Sequence, residues 1–225
     1  CGQKTTTHRL TLQQIVHDLQ HVFLHLDKGV LKNVQTIWKP QMIREYISGK
    51  RVGFYNPVIL LFLVAGVMVY IEHTFHLDIQ VDNAPANNEK MRLFGFTLAT
   101  FYVKYSKFFE VAIVLPLSWM CYLLFKKETG YNWVENLYIQ AFIVCNMNMI
   151  GILAYPMLRL MGPLVSLNII TISLLIMFNF IIYAPEPKRL NHFFRAMMVV
   201  TGSYVLYILF FVIGILLYMK IKGML

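Results

Sequence analysis

The feature that most constrains this chain is the recurrence of long apolar runs, each close to the ~20 residues that a helix needs to cross the hydrocarbon core of a bilayer. Five runs bounded by charge, Gly or Pro lie at about 56–71, 108–125, 133–155, 163–183 and 196–219. Asn56 suits the cap of the first helix and Pro57 its first turn, and Glu72-His73 mark its exit. Lys126-Lys127 end the second run, and Pro156 is expected to stop the third. The fourth breaks at Ala184-Pro185-Glu186-Pro187, and Lys220 and Lys222 close the fifth, leaving a short tail over 220–225. Composition points the same way. The chain is 58% hydrophobic and only 14% charged, whereas soluble domains carry about 25% charged residues. A single water-soluble core and a disordered polymer are both excluded. The expected fold is all-α: a polytopic integral membrane protein, a bundle of about five transmembrane helices preceded by amphipathic helices.

The net charge of +9 would suggest nucleic acid in a soluble protein. In a membrane protein it follows from the orientation rule and from anionic headgroups, so the expected partners are the lipid bilayer and other subunits of a membrane complex, with no nucleic acid. Thirteen of the 20 Lys and Arg fall in the N-terminal 55 residues and in the loops after the second and fourth runs, and seven fall on the other side. That division predicts a cytoplasmic N-terminus and, with five spans, an outside C-terminus.

The N-terminal segment, 1–55, does not span. Leu12, Ile15, Val16, Leu19, Val22, Phe23 and Leu26 make one helical apolar stripe that ends near Gly29. A second amphipathic piece follows Pro40 and stops at Gly49, with Met42, Ile43, Tyr46 and Ile47 on its apolar side. Interfacial helices and a pair of soluble helices packed on each other fit these patterns equally. Met91 to Lys107 is expected to lie on the outer surface, because Arg92, Lys104 and Lys107 are too much charge for a span.

The runs LTLQQIVHDLQHVFLHLDKGVLKNVQTIW and IREYISGKRVGFYNPVILLFL carry a resemblance. With Asp27-Lys28-Gly29, Arg44-Glu45-Tyr46-Ile47-Ser48-Gly49-Lys50-Arg51 and Asn56-Pro57, the first 65 or so residues resemble the bacterial membrane-protein family known as domain of unknown function 3667. The resemblance implies a location in the bacterial inner membrane and supplies no activity. It also implies an N-terminal zinc ribbon built from two Cys-x-x-Cys knuckles, of which this chain keeps Cys1-Gly2. Cys1 alone cannot hold a structural zinc. The expectation is that Cys1 is the last ligand of a ribbon whose upstream residues precede this chain, with a structural zinc in the full-length protein. A lipidated mature N-terminus at Cys1 is the competing reading, and it would put the eight basic residues of this segment outside.

Other chemistry is sparse. His17, His21 and His25, with His8 upstream, share one helical face; they could take up a divalent metal, or simply form the polar face of an amphipathic helix. Within the spans, Glu110 and Glu135 lie near helix ends. Asn146 and Asn148 sit in the third span, and Asn168, Thr171, Ser173 and Asn179 in the fourth. Such groups bond between helices and hold a bundle together, or line a substrate path. Pro116 is expected to kink the second span. No phosphate loop, nucleophile elbow or His/carboxylate constellation is present, so an enzyme is not expected. The leading expectation is a non-catalytic scaffold or accessory subunit that works through its cytoplasmic N-terminal segment. The alternative is a small transporter or channel that uses the polar faces of the third and fourth spans.

Overall fold

The computed structural model describes residues 29–74, 111–160, 165–184 and 190–221. Among them every regular element is a helix: α1 Gly29–Gln35, α2 Gln41–Ile47, α3 Pro57–Thr74, α4 Val114–Thr129, α5 Trp133–Leu160, α6 Val165–Tyr183 and α7 Leu190–Ile221. The long helix α5 is the centre. It packs against α3, α4 and α6 and receives α1 and α2, while α7 lies on α4 and α6. The shared core runs from Leu60, Leu61 and Val64 of α3 through Leu117 and Phe125 of α4, Tyr138 and Phe142 of α5, and Phe178 and Ile182 of α6 to Val199 and Val200 of α7.

Local chemistry accounts for the helix ends. The Asn56 side chain accepts from Val58 N–H at 3.0 Å, so Asn56-Pro57 opens α3 as the residue types require. Gly130, at φ +67°, takes the left-handed position after α4, its N–H donating to Lys126 O at 2.9 Å. Asn132 and Glu135 then form a capping box for α5, with Asn132 N–H donating to Glu135 Oε2 at 2.8 Å and Glu135 N–H to Asn132 Oδ1 at 2.7 Å. Glu135 is therefore a helix cap.

Two expectations about proline are corrected. Pro116 does not kink a helix, because α4 starts at Val114 and the proline sits in its first turn, where a missing N–H costs nothing. Pro156 does not stop α5, which continues to Leu160; a proline removes one donor and can bend a helix without ending it.

Two helices are long and apolar enough to cross a membrane, Trp133–Leu153 and Leu190–Gly214; Pro57–Ile71 and Thr171–Tyr183 are apolar but shorter. Two of the five expected spans therefore meet the criterion within the described residues. The two differ in surroundings. The α5 stretch is mostly enclosed by its neighbours, while the α7 stretch is only 22% buried and exposes Val205, Ile208, Leu209, Phe210, Val212 and Ile213.

Candidate functional site

The most constrained arrangement is the docking of residues 29–56 onto the bundle. Their contacts descend α5 from Tyr138 to Asn146, a rise of about 12 Å for eight helical residues. The apolar side of α2 meets the bundle: Ile43, Tyr46 and Ile47 are buried, and Tyr46 stacks on Tyr138 at 6.0 Å and meets Phe142 and Phe54 edge-on at 5.1 and 5.5 Å. This corrects the interfacial reading of the second amphipathic piece, because α5 and α6 rather than lipid cover its apolar stripe.

Polar contacts fix the register. Arg44 donates from Nε to Ile182 O at 2.6 Å and from Nη2 to Ile181 O and Ala184 O at 2.9 and 3.0 Å. These carbonyls lie at the C-terminal end of α6, where acceptors lack intrahelical donors and the helix dipole favours a cation. Asn33 grips the backbone of Tyr55 at both ends, Nδ2 donating to Tyr55 O and Oδ1 accepting from Tyr55 N–H, each at 2.9 Å. Thr36 Oγ1 lies 3.0 Å from Asn146 Oδ1 and accepts from Asn146 Nδ2 at 2.8 Å. Gly29 is the contact that lets α1 come so close, since a Cβ there would sit 2.9 Å from Tyr55 N.

The same end of the bundle holds the α4–α5 turn and the start of α7. Burial raises the hydroxyl pKa of Tyr131, in the α4–α5 turn, with Arg44 lowering it and Glu135 raising it. Glu128, at the end of α4, pairs with Arg195 of α7, and His192 Nε2 lies 3.7 Å from the same carboxylate oxygen. Segment 29–56, the α4–α5 turn and the first turns of α7 thus meet at one end.

A second polar cluster lies inside the bundle. Gln140 Nε2 of α5 donates to Asn179 Oδ1 of α6 at 2.7 Å and lies 3.1 Å from Cys121 Sγ of α4 and 3.3 Å from Tyr183 OH. Cys121 Sγ donates to Asn179 Oδ1 at 3.3 Å, Asn179 Nδ2 donates to Leu175 O at 2.8 Å, and Tyr183 stacks on Phe125 at 5.2 Å. Three helices are tied at one point.

The sequence-derived candidates divide as follows. Asn146 and Asn179 are buried, but they belong to different clusters: Asn146 holds Thr36, in the turn that follows α1, and Asn179 holds α5 and α4. Asn148 is partly buried, with its Nδ2 enclosed and without a hydrogen-bond partner in the described contacts. Asn168 lies in α6, and its side chain is not among those described. Of the motif residues, Gly29, Arg44 and Tyr46 are docking contacts. Gly49 holds the positive-φ turn after α2, and the Arg51 guanidinium lies 5.9 Å from the Tyr46 ring centre. Glu45 and Lys50 pair at 3.7 Å on the surface. Cys1, His17, His21, His25, Asp27 and Lys28 lie outside the described residues, as does the stretch from Met91 to Lys107. Sequence reasoning missed Asn33, Thr36 and Gln140. Gln140, a glutamine inside an apolar span, carried a signal; Asn33 and Thr36 carried one only as a pair three residues apart.

Among the described residues no group of three or more His, Cys, Asp and Glu comes together as a metal site. No protein-family model, curated protein or solved structure matches the chain.

Proposed function

We propose that this chain is a polytopic inner-membrane protein of about five spans that acts, without catalysis of its own, as a scaffold or accessory subunit of a membrane complex. It presents the bundle end built by residues 29–56, and its motif segments ally it with domain of unknown function 3667. The observation that carries the reading is how the polar side chains inside the bundle are used. Asn146 is taken up by Thr36, and Asn179 by Gln140, Cys121 and Leu175 O. These groups act as cohesion between elements, as interhelical polar residues in membranes commonly do, and Asn146 is not left to line a path. The exposed apolar side chains of α7 support a lipid environment, since a soluble protein rarely leaves so large an apolar face open.

Glu45 and Lys50 are exposed at this end, their side chains 53% and 72% accessible. The test uses them because they leave the docking contacts alone. Purification of the full chain in mild detergent from its native membrane should bring down a partner, and Glu45→Arg with Lys50→Glu should lose it while thermal stability stays unchanged. A chain that purifies alone in every mild detergent overturns the scaffold reading.

A further inference from the structure

Helix α5 carries a stripe of enclosed polar atoms that no protein group satisfies. Among the described residues, Trp133 Nε1, Asn136 Oδ1 and Gln140 Oε1 are buried and have no hydrogen-bond partner. Their spacing of three and then four residues puts them on one face of the helix. Asn136 and Gln140 are closed to bulk solvent, at 1% and 0% exposure. Buried acceptors of this kind are nearly always paired, either with a protein donor or with ordered water, because a dry one forfeits its hydration.

Turning the amides over does not supply the missing partner. Asn136 Nδ2 donates to Asn132 O at 2.8 Å, so a flip would set oxygen against oxygen. Gln140 Nε2 donates to Asn179 Oδ1 at 2.7 Å, and Asn179 is itself fixed by its Nδ2 bond to Leu175 O. The other donors of the cluster are directed elsewhere: Cys121 Sγ donates to Asn179 Oδ1, and the Tyr183 hydroxyl is hydrogen-bonded to Cys121. The two orphaned oxygens therefore call for a donor from outside the chain.

Water fits that place by size and by valence. Side chains four residues apart on a helix have Cβ atoms ~5–6 Å apart. A water whose two O–H groups each reach an oxygen at ~2.8 Å spans up to ~5.6 Å, and its two donors match the two acceptors. A metal or ammonium ion fits less well, because the side chains bonded in this cluster include no carboxylate to balance its charge. Trp133 Nε1, nearer the start of α5, offers a donor to a second water that reaches the remaining lone pair of Asn136 Oδ1. We infer that the bundle holds structural water here: one molecule bridges Asn136 Oδ1 and Gln140 Oε1, and a second links Asn136 to Trp133. The bridge completes the cluster that ties α4, α5 and α6, since the Gln140 amide is then used at both its oxygen and its nitrogen.

Water radiolysis tests this on the full chain in mild detergent. A hydroxyl radical made from a bound water reacts where it forms, so an enclosed thiol is oxidised quickly only when water sits beside it. Cys121 Sγ lies 3.1 Å from Gln140 Nε2. Cys145 is as deeply buried, and five residues on from Gln140 it faces another side of α5. With a scavenger clearing radicals from bulk water, Cys121 should be oxidised several-fold faster than Cys145. Asn136→Leu removes one acceptor and fills the place of the water, and should bring Cys121 down to the rate of Cys145. Equally slow oxidation of the two thiols in the native chain overturns the inference in favour of a dry cluster. Fast oxidation of Cys121 that is unchanged in Asn136→Leu overturns the bridge, since water then reaches the thiol by another way. Where Asn136→Leu does not fold, a structure at a resolution that shows water decides: density within hydrogen-bond reach of both oxygens supports the bridge, and its absence overturns it.

Discussion

Asn33 offers the sharpest test of how the N-terminal segment is held. Its side-chain amide makes two hydrogen bonds of 2.9 Å to the backbone of a single residue, Tyr55, and Asn33 is fully buried. Asn33→Ala deletes both and strands one N–H and one C=O between two packed segments. An unsatisfied buried group costs ~1–3 kcal/mol, and interhelical bonds in membrane bundles average nearer ~0.6 kcal/mol because freed groups find other partners. Tyr55 lies in irregular backbone before the Asn56 cap, so substitutes are scarce and the cost should fall at about 2–4 kcal/mol. At ~1.4 kcal/mol per factor of ten, local opening of this backbone becomes about 30- to 700-fold more frequent. Hydrogen–deuterium exchange in micelles, followed on a peptide containing Tyr55, reads this directly. Gln35→Ala, on the exposed side of the same helix, should change nothing. Exchange at Tyr55 that stays wild-type in Asn33→Ala, or that accelerates equally in Gln35→Ala, would refute the clasp.

Three further outcomes are expected. Thr36→Val and Asn146→Leu should each destabilise the chain in a thermal or denaturant assay, and the double variant should cost less than the two singly, with a coupling of about 0.5–2 kcal/mol; strict additivity would show that the two side chains do not meet. Arg44→Met should loosen the end of α6, raising exchange over residues 181–184 without changing exchange at Tyr55, since its three acceptors are all in that stretch; equal acceleration at both places would contradict a local cap. The Tyr131 hydroxyl is raised by burial above the ordinary tyrosine value of about 10. The stability it lends is therefore complete below pH 10 and is lost as pH climbs through the folded value, so Tyr131→Phe should make the alkaline loss of stability shallower, and an unchanged alkaline melting profile would count against it.

Much of the bundle was legible in the sequence because its signals are local. Asn56-Pro57 is a helix start by residue type, Lys126-Lys127 followed by Gly130 is a helix end, and α6 occupies 165–183 within the expected 163–183. The apolar spacing of Ile43, Tyr46 and Ile47 marked a buried face correctly and left open what would bury it. The docking itself was not legible. Arg44 meets a carbonyl 138 positions away and Thr36 an asparagine 110 positions away, and backbone acceptors carry no mark in the residue types. Helix α1 escaped notice for a physical reason. Pattern reading seeks apolar residues on the inner face, and here the buried residues are Gly29 and Asn33, with Thr36 in the turn that follows. Gln140 lies within an apolar run, where a glutamine marks an interhelical contact by residue type as clearly as the asparagines nearby.

The account stands or falls on which surfaces share a side of the membrane. Single cysteines at Lys50, Lys127 and Lys222, in a background lacking the native cysteines, can be challenged with a membrane-impermeant thiol reagent in cells stripped of any outer barrier. Lys50→Cys in the N-terminal segment and Lys127→Cys at the end of α4 should both be spared until the membrane is permeabilised, because Arg44 and the α4–α5 turn meet at one end of the bundle. Lys222→Cys should be labelled at once. Opposite accessibility of Lys50→Cys and Lys127→Cys would contradict the docking of residues 29–56 on this end, and Lys222→Cys spared together with both would contradict an odd number of spans.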